Sequence, residues 1–431
     1  MPPVLLASAI RPPKGASPWA PAKCDFDGPL RQVSFLYPNE RQHQLASRAV
    51  RRHVRAAEPG GSLSVKRIDV IVGTRPEAIK LAPVAAALAG HGLAPRLILT
   101  GQHPLDPAEH DLANYERDEL ACRGGGDPHV HARQVAQLVA PLLAERPGLL
   151  IVQGDTSSAL GGALAAFAAA VPVAHVEAGL RSYDPAMPWP EEEFRTAIDA
   201  RAALLFAPTE ISAGNLEAGG VPGRILVTGN TGVDALLAVR RAAPPAVRDR
   251  SGLQLLVTCH RRESWGDGLR AVAAAMVELA ASHGLAIDVV LHPNPFVAGT
   301  MRQLLGGRPG IHLIEPLGHA EMVAAMQACD ILLSDSGGMQ EEAPALGVPM
   351  LVLRDKTERP EGIASGNMLL VGTDQKRIVA AVVRLLDPAV RAAMSHRAFP
   401  FGDGRSATRI AGHVARFLEA GDVAQGQARR A

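Results

Sequence analysis

Two stretches of the chain have the residue types of a phosphate-binding turn. Val70–Val84 contains the motif GTRPEAIK, and Leu332–Pro349 contains SDSGGMQEE. Each follows an apolar run that predicts a buried strand and opens a predicted helix, where unpaired amides and the positive end of the helix dipole favour an anion. The two turns together predict that a nucleotide sugar is gripped through its pyrophosphate between two α/β domains.

The first turn also supplies cations. Gly73 permits a tight strand-to-helix turn, and Pro76 suits the first helical positions because its missing N–H needs no partner there. Arg75 can place two N–H groups on phosphate oxygens, and Lys80 lies about one helical turn further on. The alternative is a capped surface helix on which both cations are solvated.

Carboxylates recur after the strands of the first half. Asp155 and Glu177 each follow an apolar run, and Glu191 and Arg195 lie four residues apart on a helix predicted to begin near Pro190. Carboxylates that share a cleft raise at least one pKa among them, which suits an acid or a base near neutral pH. Two alternatives stay open, namely Asp155 as a helix cap and Glu191–Arg195 as an exposed ion pair.

The second half offers a histidine, a carboxylate and an arginine. His260 follows a predicted strand, and the two arginines after it favour an anionic partner over a core position. Glu342 lies about one turn into a helix, where a carboxylate can accept bonds from ribose hydroxyls or interact with the dipole. Arg359 lies in a charged loop. The turn itself exposes backbone amides at Ser336, Gly337 and Gly338.

Apolar runs alternate with Ala-rich helical stretches from Arg67 onward, which predicts parallel sheets covered on both faces. The fold class is therefore α/β, with two Rossmann-like domains that face a central cleft. The predicted parts are an N-terminal Rossmann-like domain (66–240), a linker (241–252), a C-terminal nucleotide-binding domain (253–404), and a final helix and tail (405–431) that packs back on the first domain.

Composition excludes several classes of protein. Charged residues make up 20% of the 431 residues and the net charge is +1, whereas a nucleic-acid binder needs a basic excess. No apolar run approaches membrane-spanning length. The four cysteines lack the spacing of a metal site or a disulfide framework, so we expect no metal and a cytoplasmic location.

Residues 1–65 are rich in Pro and Arg and show no alternation of strand and helix. This composition predicts a disordered extension or a start codon placed too early. The alternative is an amphipathic targeting or docking arm around Leu45–Arg55.

From about Val65 to about Leu418 the chain resembles the non-hydrolysing UDP-N-acetylglucosamine 2-epimerases. Eight motifs carry the resemblance in order along the chain: GTRPEAIK, QGDTSSAL, HVEAGLR, PWPEE, TGNTGVDAL, CHRRESWG, SDSGGMQEEAP and ERPEG.

The resemblance implies a glycosyltransferase-B-like fold, a homodimer, and interconversion of UDP-N-acetylglucosamine and UDP-N-acetylmannosamine without NAD or another cofactor. Members of this family eliminate UDP to give 2-acetamidoglucal and add it back with the proton on the other face. That chemistry needs donors for the departing pyrophosphate, acid and base groups, and a closed cleft that retains the glycal.

Carried over by position, the resemblance assigns roles to the residues already named. The family's acid/base carboxylates match Asp155, Glu177 and Glu191. The residues around the sugar and diphosphate match Arg75, Lys80, Arg195 and His260, with His260 and Lys80 in the catalytic set. The pyrophosphate turn matches Ser336, Gly337 and Gly338, the ribose contact matches Glu342, and a further cation matches Arg359.

Three departures from the family pattern bear on the substrate. Phe194 stands where the family has Asn, and Met322 stands where members often have an aromatic side chain near uracil. Gln102 is retained as a substrate contact in a region where some bacterial members bind a second UDP-N-acetylglucosamine as an activator. Its neighbours PLDPAEHDL differ, which weakens the expectation of such regulation.

Four other functions remain open on this sequence. A hydrolysing enzyme would release UDP and N-acetylmannosamine, and a related epimerase would act on a UDP-diacetamido or uronic sugar. A glycosyltransferase or a non-catalytic nucleotide-sugar sensor would belong to another class. Three carboxylates at the predicted strand edge favour elimination chemistry over that class.

Overall fold

The computed structural model describes residues 50–53, 67–242, 252–259 and 266–428. Its strands form two separate sheets. The strands of the first sheet are β1 Val50–His53, β2 Arg67–Val72, β3 Ala94–Leu99, β4 Glu116–Leu120, β5 Leu149–Gln153, β6 Val173–Val176, β7 Leu204–Ala207 and β8 Arg224–Val227. Those of the second are β9 Gln254–Thr258, β10 Ala286–Val290, β11 Ile311–Ile314, β12 Ile331–Ser334, β13 Met350–Val352 and β14 Met368–Leu370.

Both sheets are doubly wound. The first has the order β1-β4-β3-β2-β5-β6-β7-β8, with every pair parallel except β1–β4, and the second has the order β11-β10-β9-β12-β13-β14, with every pair parallel. The strand order reverses between β2 and β5 and again between β9 and β12. Ligands of such sheets bind at the carboxyl ends of the strands beside these reversals.

Helices connect the parallel strands. They are α1 Arg75–Gly90, α2 Pro128–Val139, α3 Ser157–Ala168, α4 Glu191–Asp199, α5 Glu210–Ala218, α6 Thr231–Ala242, α7 Asp267–His283, α8 Pro295–Leu305, α9 His319–Ala328, α10 Gly337–Leu346, α11 Pro360–Ala364, α12 Gln375–Leu385, α13 Pro388–Met394 and α14 Ser406–Ala428. Short 3₁₀ helices occur at Pro107–His110 and Ala140–Glu145. No described helix combines the length and apolar character needed to cross a bilayer.

Threonine caps fix where three helices of the first half begin. The side chains of Thr74, Thr156 and Thr209 accept hydrogen bonds from backbone N–H groups in the first turns of α1, α3 and α5. Such a cap satisfies one of the four amides that a helix start leaves unpaired. The remaining amides at these starts are oriented toward the edge of the sheet where the strands end.

Each sheet has its own aliphatic core. All five residues of β5 are buried, as expected for a strand covered on both faces. The C-terminal helix α14 joins the first core rather than the second, since Ile410, Ala411 and Val414 cluster with Leu88 of α1. Asp234 of α6 accepts bonds from the N–H groups of Ser406 and Ala407 and so caps α14.

The predicted α/β fold class with two Rossmann-like sheets is confirmed, but two strands were missed. The two missed strands are β4, with the sequence ERDEL, and β1, with the sequence VRRH, which pair with each other. Neither sequence contains the apolar run that indicates a buried strand. Within β4, Asp118 is buried, and its charge is balanced by Arg96 of β3, whose Nη1 lies 3.0 Å from Asp118 Oδ2. Strand β1 falls in the extension predicted to lack regular structure. The rest of that extension and most of the predicted linker lie outside the described residues.

Candidate active site

The carboxyl ends of the two sheets face one another at a set of polar side chains. The residues after β2, β5 and β6 come from the first sheet, and the starts of α10 and α11 come from the second. Arg75, at the start of α1, donates a hydrogen bond of 2.7 Å from Nη2 to the backbone oxygen of Leu317, which follows β11. The helices that follow the two predicted phosphate turns also meet, since Lys80 Nζ lies 2.8 Å from Glu341 Oε2, so both turns border one cleft.

Four buried charges meet across this cleft, and we call them the central ion cluster: Lys80, Glu177, Glu341 and Arg359. Lys80 Nζ lies 2.9 Å from Glu177 Oε1 and 2.8 Å from Glu177 Oε2, and 2.8 Å from Glu341 Oε2. Arg359 donates from Nε to Glu341 Oε1 at 2.7 Å and from Nη2 to Glu177 Oε1 at 3.2 Å. Each half contributes one cation and one carboxylate, and each cation contacts both carboxylates.

The two carboxylates of the central ion cluster differ in their pKa. Burial raises the pKa of Glu177, although Lys80 opposes the rise, and the charge of Glu341 adds to it. Burial also acts on Glu341, but Arg359 and Lys80 outweigh it and lower its pKa. The difference arises because Arg359 directs two N–H groups at Glu341 and one at Glu177. Glu177 is therefore the carboxylate better suited to carry a proton near neutral pH.

The backbone at Glu177 is strained, and several hydrogen bonds hold this residue in place. Its φ is +69°, a left-handed conformation that residues other than glycine rarely adopt. The N–H groups of Glu177 and Ala178 both donate to the carbonyl of Phe206 in β7, at 3.1 Å each. Gln153, the last residue of β5, donates from Nε2 to Glu177 Oε2. These bonds hold the carboxylate in place.

A second ion group lies beside the first. Thr156, not Asp155, caps α3, so the alternative of Asp155 as a helix cap is wrong. The Asp155 carboxylate instead accepts a bond from Arg195 Nη2, while Arg195 Nη1 lies 3.3 Å from Glu192 Oε2. Arg195 is only 3% exposed, which also excludes the exposed ion pair. Its Nε is buried and makes no hydrogen bond to any described residue.

Glu191 is the first residue of α4 and is partly buried. The next residue, Glu192, accepts bonds from the backbone N–H groups of Ser182 and Tyr183 at 3.0 and 3.1 Å. Glu192 thus ties the loop after β6 to α4. This loop leads from Glu177 to Glu191, and the tie fixes its course between the two carboxylates.

The glycine turn of the second half packs against Arg359. A Cβ placed on Gly337 would lie 2.9 Å from both Cζ and Nη1 of Arg359, so only a glycine lets the guanidinium approach the start of α10. Ser336 precedes this helix and makes no side-chain cap bond, and a Cβ on Gly338 would meet nothing closer than Ser336 Oγ at 4.0 Å. The start of α10 therefore lies directly beside the guanidinium of Arg359.

Glu342 and Gln102, two predicted ligand contacts, are not members of the central ion cluster. Glu342 Oε1 lies 3.3 Å from Nε2 of His319, the first residue of α9, and Met322 packs beside the second core. Gln102 uses its side-chain oxygen to accept a bond of 2.6 Å from Ser158 Oγ, so this side chain contacts α3 rather than the central ion cluster. His260 lies outside the described residues.

Sequence reasoning missed several members of the site, namely Glu341, Glu358, Gln153 and Glu192. Arg359 lies in a loop, as expected, immediately before α11, and it donates to Glu358 as well as to the central ion cluster. Glu341 and Glu342 are adjacent on α10, and nothing in the spacing indicates which one faces the first sheet. Across 67–242, 252–259 and 266–428, no group of three or more His, Cys, Asp or Glu side chains suits a metal ion.

Comparison with known proteins gives a consistent result. The family model described as UDP-N-acetylglucosamine 2-epimerase matches residues 86–415. The UDP-N-acetylglucosamine 2-epimerase of Escherichia coli K12 is 40% identical over 371 residues, which cover 80% of this chain and 97% of that protein. A probable UDP-N-acetylglucosamine 2-epimerase of Ralstonia nicotianae is 41% identical over 368 residues, covering 80% and 98%.

Solved structures agree. The Neisseria meningitidis UDP-GlcNAc 2-epimerase bound to UDP-GlcNAc has a TM-score of 0.75 and 34% identity, covering 81% of this chain and all of that one. The Methanocaldococcus jannaschii enzyme in complex with UDP-GlcNAc and UDP has a TM-score of 0.72 and 32% identity, covering 81% and 99%. The predicted family is confirmed, and the chain belongs to the UDP-N-acetylglucosamine 2-epimerases.

Proposed function

We propose that this protein reversibly epimerises carbon 2 of UDP-N-acetylglucosamine to give UDP-N-acetylmannosamine, by elimination of UDP to 2-acetamidoglucal and re-addition. The observation that carries this proposal is the central ion cluster, in which a carboxylate of raised pKa lies beside two cations and a helix start. That combination supplies both a proton carrier and a site for a departing diphosphate.

The proposed elimination moves one proton and two electron pairs. A base takes the proton from carbon 2, the electrons of that C–H bond form the double bond to carbon 1, and the C1–O bond breaks with its electron pair on the diphosphate. Arg75, Arg359 and the first amides of α10 border the space where that charge develops. Preorganised donors of this kind stabilise a leaving group without reorganisation.

Re-addition needs the same groups in reverse. The diphosphate oxygen attacks carbon 1 of the glycal, and a proton returns to carbon 2 from the opposite face. Two faces call for more than one proton carrier, and Asp155, Glu177 and Glu191 are the candidates. Elimination and re-addition as proposed transfer a proton and no hydride, so this route uses no nicotinamide cofactor. His260 stays a proposed site residue.

The wider setting follows from the family resemblance. We propose a cytoplasmic homodimer that acts on a UDP sugar, with Glu342 as the ribose contact and the glycine turn as the diphosphate contact. His319, which lies 3.3 Å from Glu342, would orient that carboxylate. Because Met322 is not aromatic, uracil would be held by aliphatic packing and backbone bonds.

The direct test is NMR of the protein with UDP-N-acetylglucosamine in deuterated water. We expect deuterium at carbon 2 and a new manno signal with the nucleotide still attached. Accumulation of UDP and free N-acetylmannosamine would instead identify a hydrolysing enzyme. Failure to turn over this substrate, combined with turnover of a UDP-diacetamido or uronic sugar, would move the assignment to a related epimerase.

Replacing Gly337 by Ala tests the position of Arg359. The added Cβ would lie within 3.0 Å of the guanidinium, which must move away from the start of α10. A displacement of this size at a diphosphate site costs on the order of 10²-fold in kcat/KM for UDP-N-acetylglucosamine. The matched control is Gly299→Ala on α8, where a Cβ meets nothing within 4 Å, and it should keep wild-type kcat/KM. Unchanged kcat/KM in Gly337→Ala would contradict the role given to Arg359.

A further inference from the structure

Glu77 is a buried carboxylate that the proposed mechanism does not use. It lies in the first turn of α1, within GTRPEAIK, and is 1% exposed. Oε2 accepts bonds from the Gly73 N–H at 3.0 Å and from Thr74 Oγ1 at 2.8 Å, and Oε1 accepts a bond from Thr156 Oγ1 at 2.7 Å. One carboxylate thus joins the turn after β2 to the turn after β5.

The two threonines that bind Glu77 are the caps of two helices. Thr74 Oγ1 accepts from the Glu77 N–H at the start of α1, and Thr156 Oγ1 accepts from the Ala159 N–H at 3.0 Å at the start of α3. Each threonine hydroxyl donates a hydrogen bond to Glu77 and accepts one from a helix amide. Glu77 therefore orients both caps at once, in a variant of the capping box in which the acid accepts from the hydroxyl of the cap residue and from the N–H of the residue before it.

Site residues adjoin both caps. Arg75 follows Thr74 and contacts Leu317 across the cleft, and Asp155 precedes Thr156 and binds Arg195. The turns are also in close contact, since a Cβ on Gly73 would lie 2.0 Å from Ser158 Oγ. A shift of the Thr156 turn would therefore move Asp155 relative to Arg75.

We propose that Glu77 is a positioning residue for the reaction, which fixes the Asp155 turn against the Arg75 turn by sharing its carboxylate between the caps of α1 and α3. The inference rests on the proposed function for its kinetic consequence but not for its structural one. In this role Glu77 acts through the two turns that it binds and not through contact with the substrate.

The electrostatics of Glu77 are consistent with this role. Burial raises the pKa of Glu77 to about 7, while the bonds from Thr156, Thr74 and Gly73 oppose the rise. The carboxylate, which can accept from all three donors, therefore predominates above about pH 7. The neighbouring charges are engaged elsewhere, since Asp155 pairs with Arg195 and Lys80 pairs with Glu177 and Glu341.

The first experiment compares Glu77→Gln with the wild-type protein. The glutamine amide has one acceptor oxygen, and its NH₂ group would face a hydrogen-bond donor of one of the two turns. That turn therefore loses its hydrogen bond to residue 77. We expect kcat to fall about 10²-fold, as for a misplaced catalytic group, and the Kd for UDP to rise by much less, because Arg75 lies in only one of the two turns. The control is Glu210→Gln, an exposed acid in the first turn of α5, which should leave both constants unchanged. A kcat within threefold of wild type would overturn the proposal, and so would an equal loss in UDP affinity.

The second experiment keeps the proposal testable if Glu77→Gln folds poorly. Thr156→Ser retains the hydroxyl and should keep kcat within about threefold, whereas Thr156→Ala loses it and should resemble Glu77→Gln. Equal impairment by Ser and Ala would overturn the proposal, because the methyl group and not the hydroxyl would then matter.

Hydrogen exchange of the ligand-free protein separates this inference from the proposed function. Peptides that cover 155–160 should exchange faster in Thr156→Ala and Glu77→Gln than in the wild type, and not in Glu210→Gln. If the wild type fails to turn over UDP-N-acetylglucosamine, the proposed function is wrong, but hydrogen exchange still tests whether Glu77 holds the two turns together. Unchanged exchange in both variants would show that it does not, whatever the substrate.

Discussion

Replacing Glu191 by Gln lowers kcat at least about 10³-fold and abolishes deuterium exchange at carbon 2, while the Kd for UDP stays within about threefold. The reason is that the amide keeps the size of the side chain but cannot take or give the proton, and a positioned acid or base contributes about 10²–10⁴-fold to such a step. Steady-state kinetics, exchange by NMR and UDP titration measure the three quantities on one preparation.

The control for this variant lies on the same helix. Glu193 is two residues further along α4, its side chain is 41% exposed, and it lies 3.5 Å from His129 Nε2. Glu193→Gln removes one charge from the same segment without approaching the cleft, so kcat should stay at the wild-type level. Exchange that survives in Glu191→Gln would mean that Asp155 and Glu177 suffice as proton carriers.

The sequence predicted the fold where strands are apolar and failed where they are not. Runs such as Leu149–Gln153 are buried on both faces and indicate strands by composition alone. β4 is an internal strand only because Val50–His53 pairs with it, and its buried charge is matched by Arg96, a residue from another strand. Such pairing depends on contacts between distant segments, which local patterns do not contain.

The candidate site divides in the same way. Arg75, Lys80, Asp155 and Glu177 follow strands of one parallel sheet, so their common edge could be predicted from the alternation of elements. Glu341 could not, because its role depends on the rotation of α10 and on how the second sheet faces Lys80. The function of Thr156 as the cap of α3, which leaves Asp155 for Arg195, likewise depends on the backbone geometry of one turn.

The contact between Lys80 and Glu341 joins the two sheets, since Lys80 is on α1 and Glu341 is on α10. Both side chains are almost fully buried, at 11% and 1% exposure. Removing one partner of a buried pair leaves an uncompensated charge, which costs on the order of 3 kcal/mol. We therefore expect Glu341→Gln and Lys80→Met each to lower the free energy of unfolding by about 3 kcal/mol, measured by urea denaturation.

The double variant distinguishes a direct pair from two independent losses. If Lys80 and Glu341 interact, removing both should cost about 1–3 kcal/mol less than the sum of the single variants. Additivity within about 0.5 kcal/mol would contradict the pair.

The surface pair Arg302–Glu315 is the comparison, because its side chains are 49% and 73% exposed. Glu315→Gln should cost less than about 1 kcal/mol, since solvent and salt screen an exposed pair. A large cost at Glu341 beside a small one at Glu315 would mean that burial between the sheets, rather than charge pairing as such, sets the contribution of this contact.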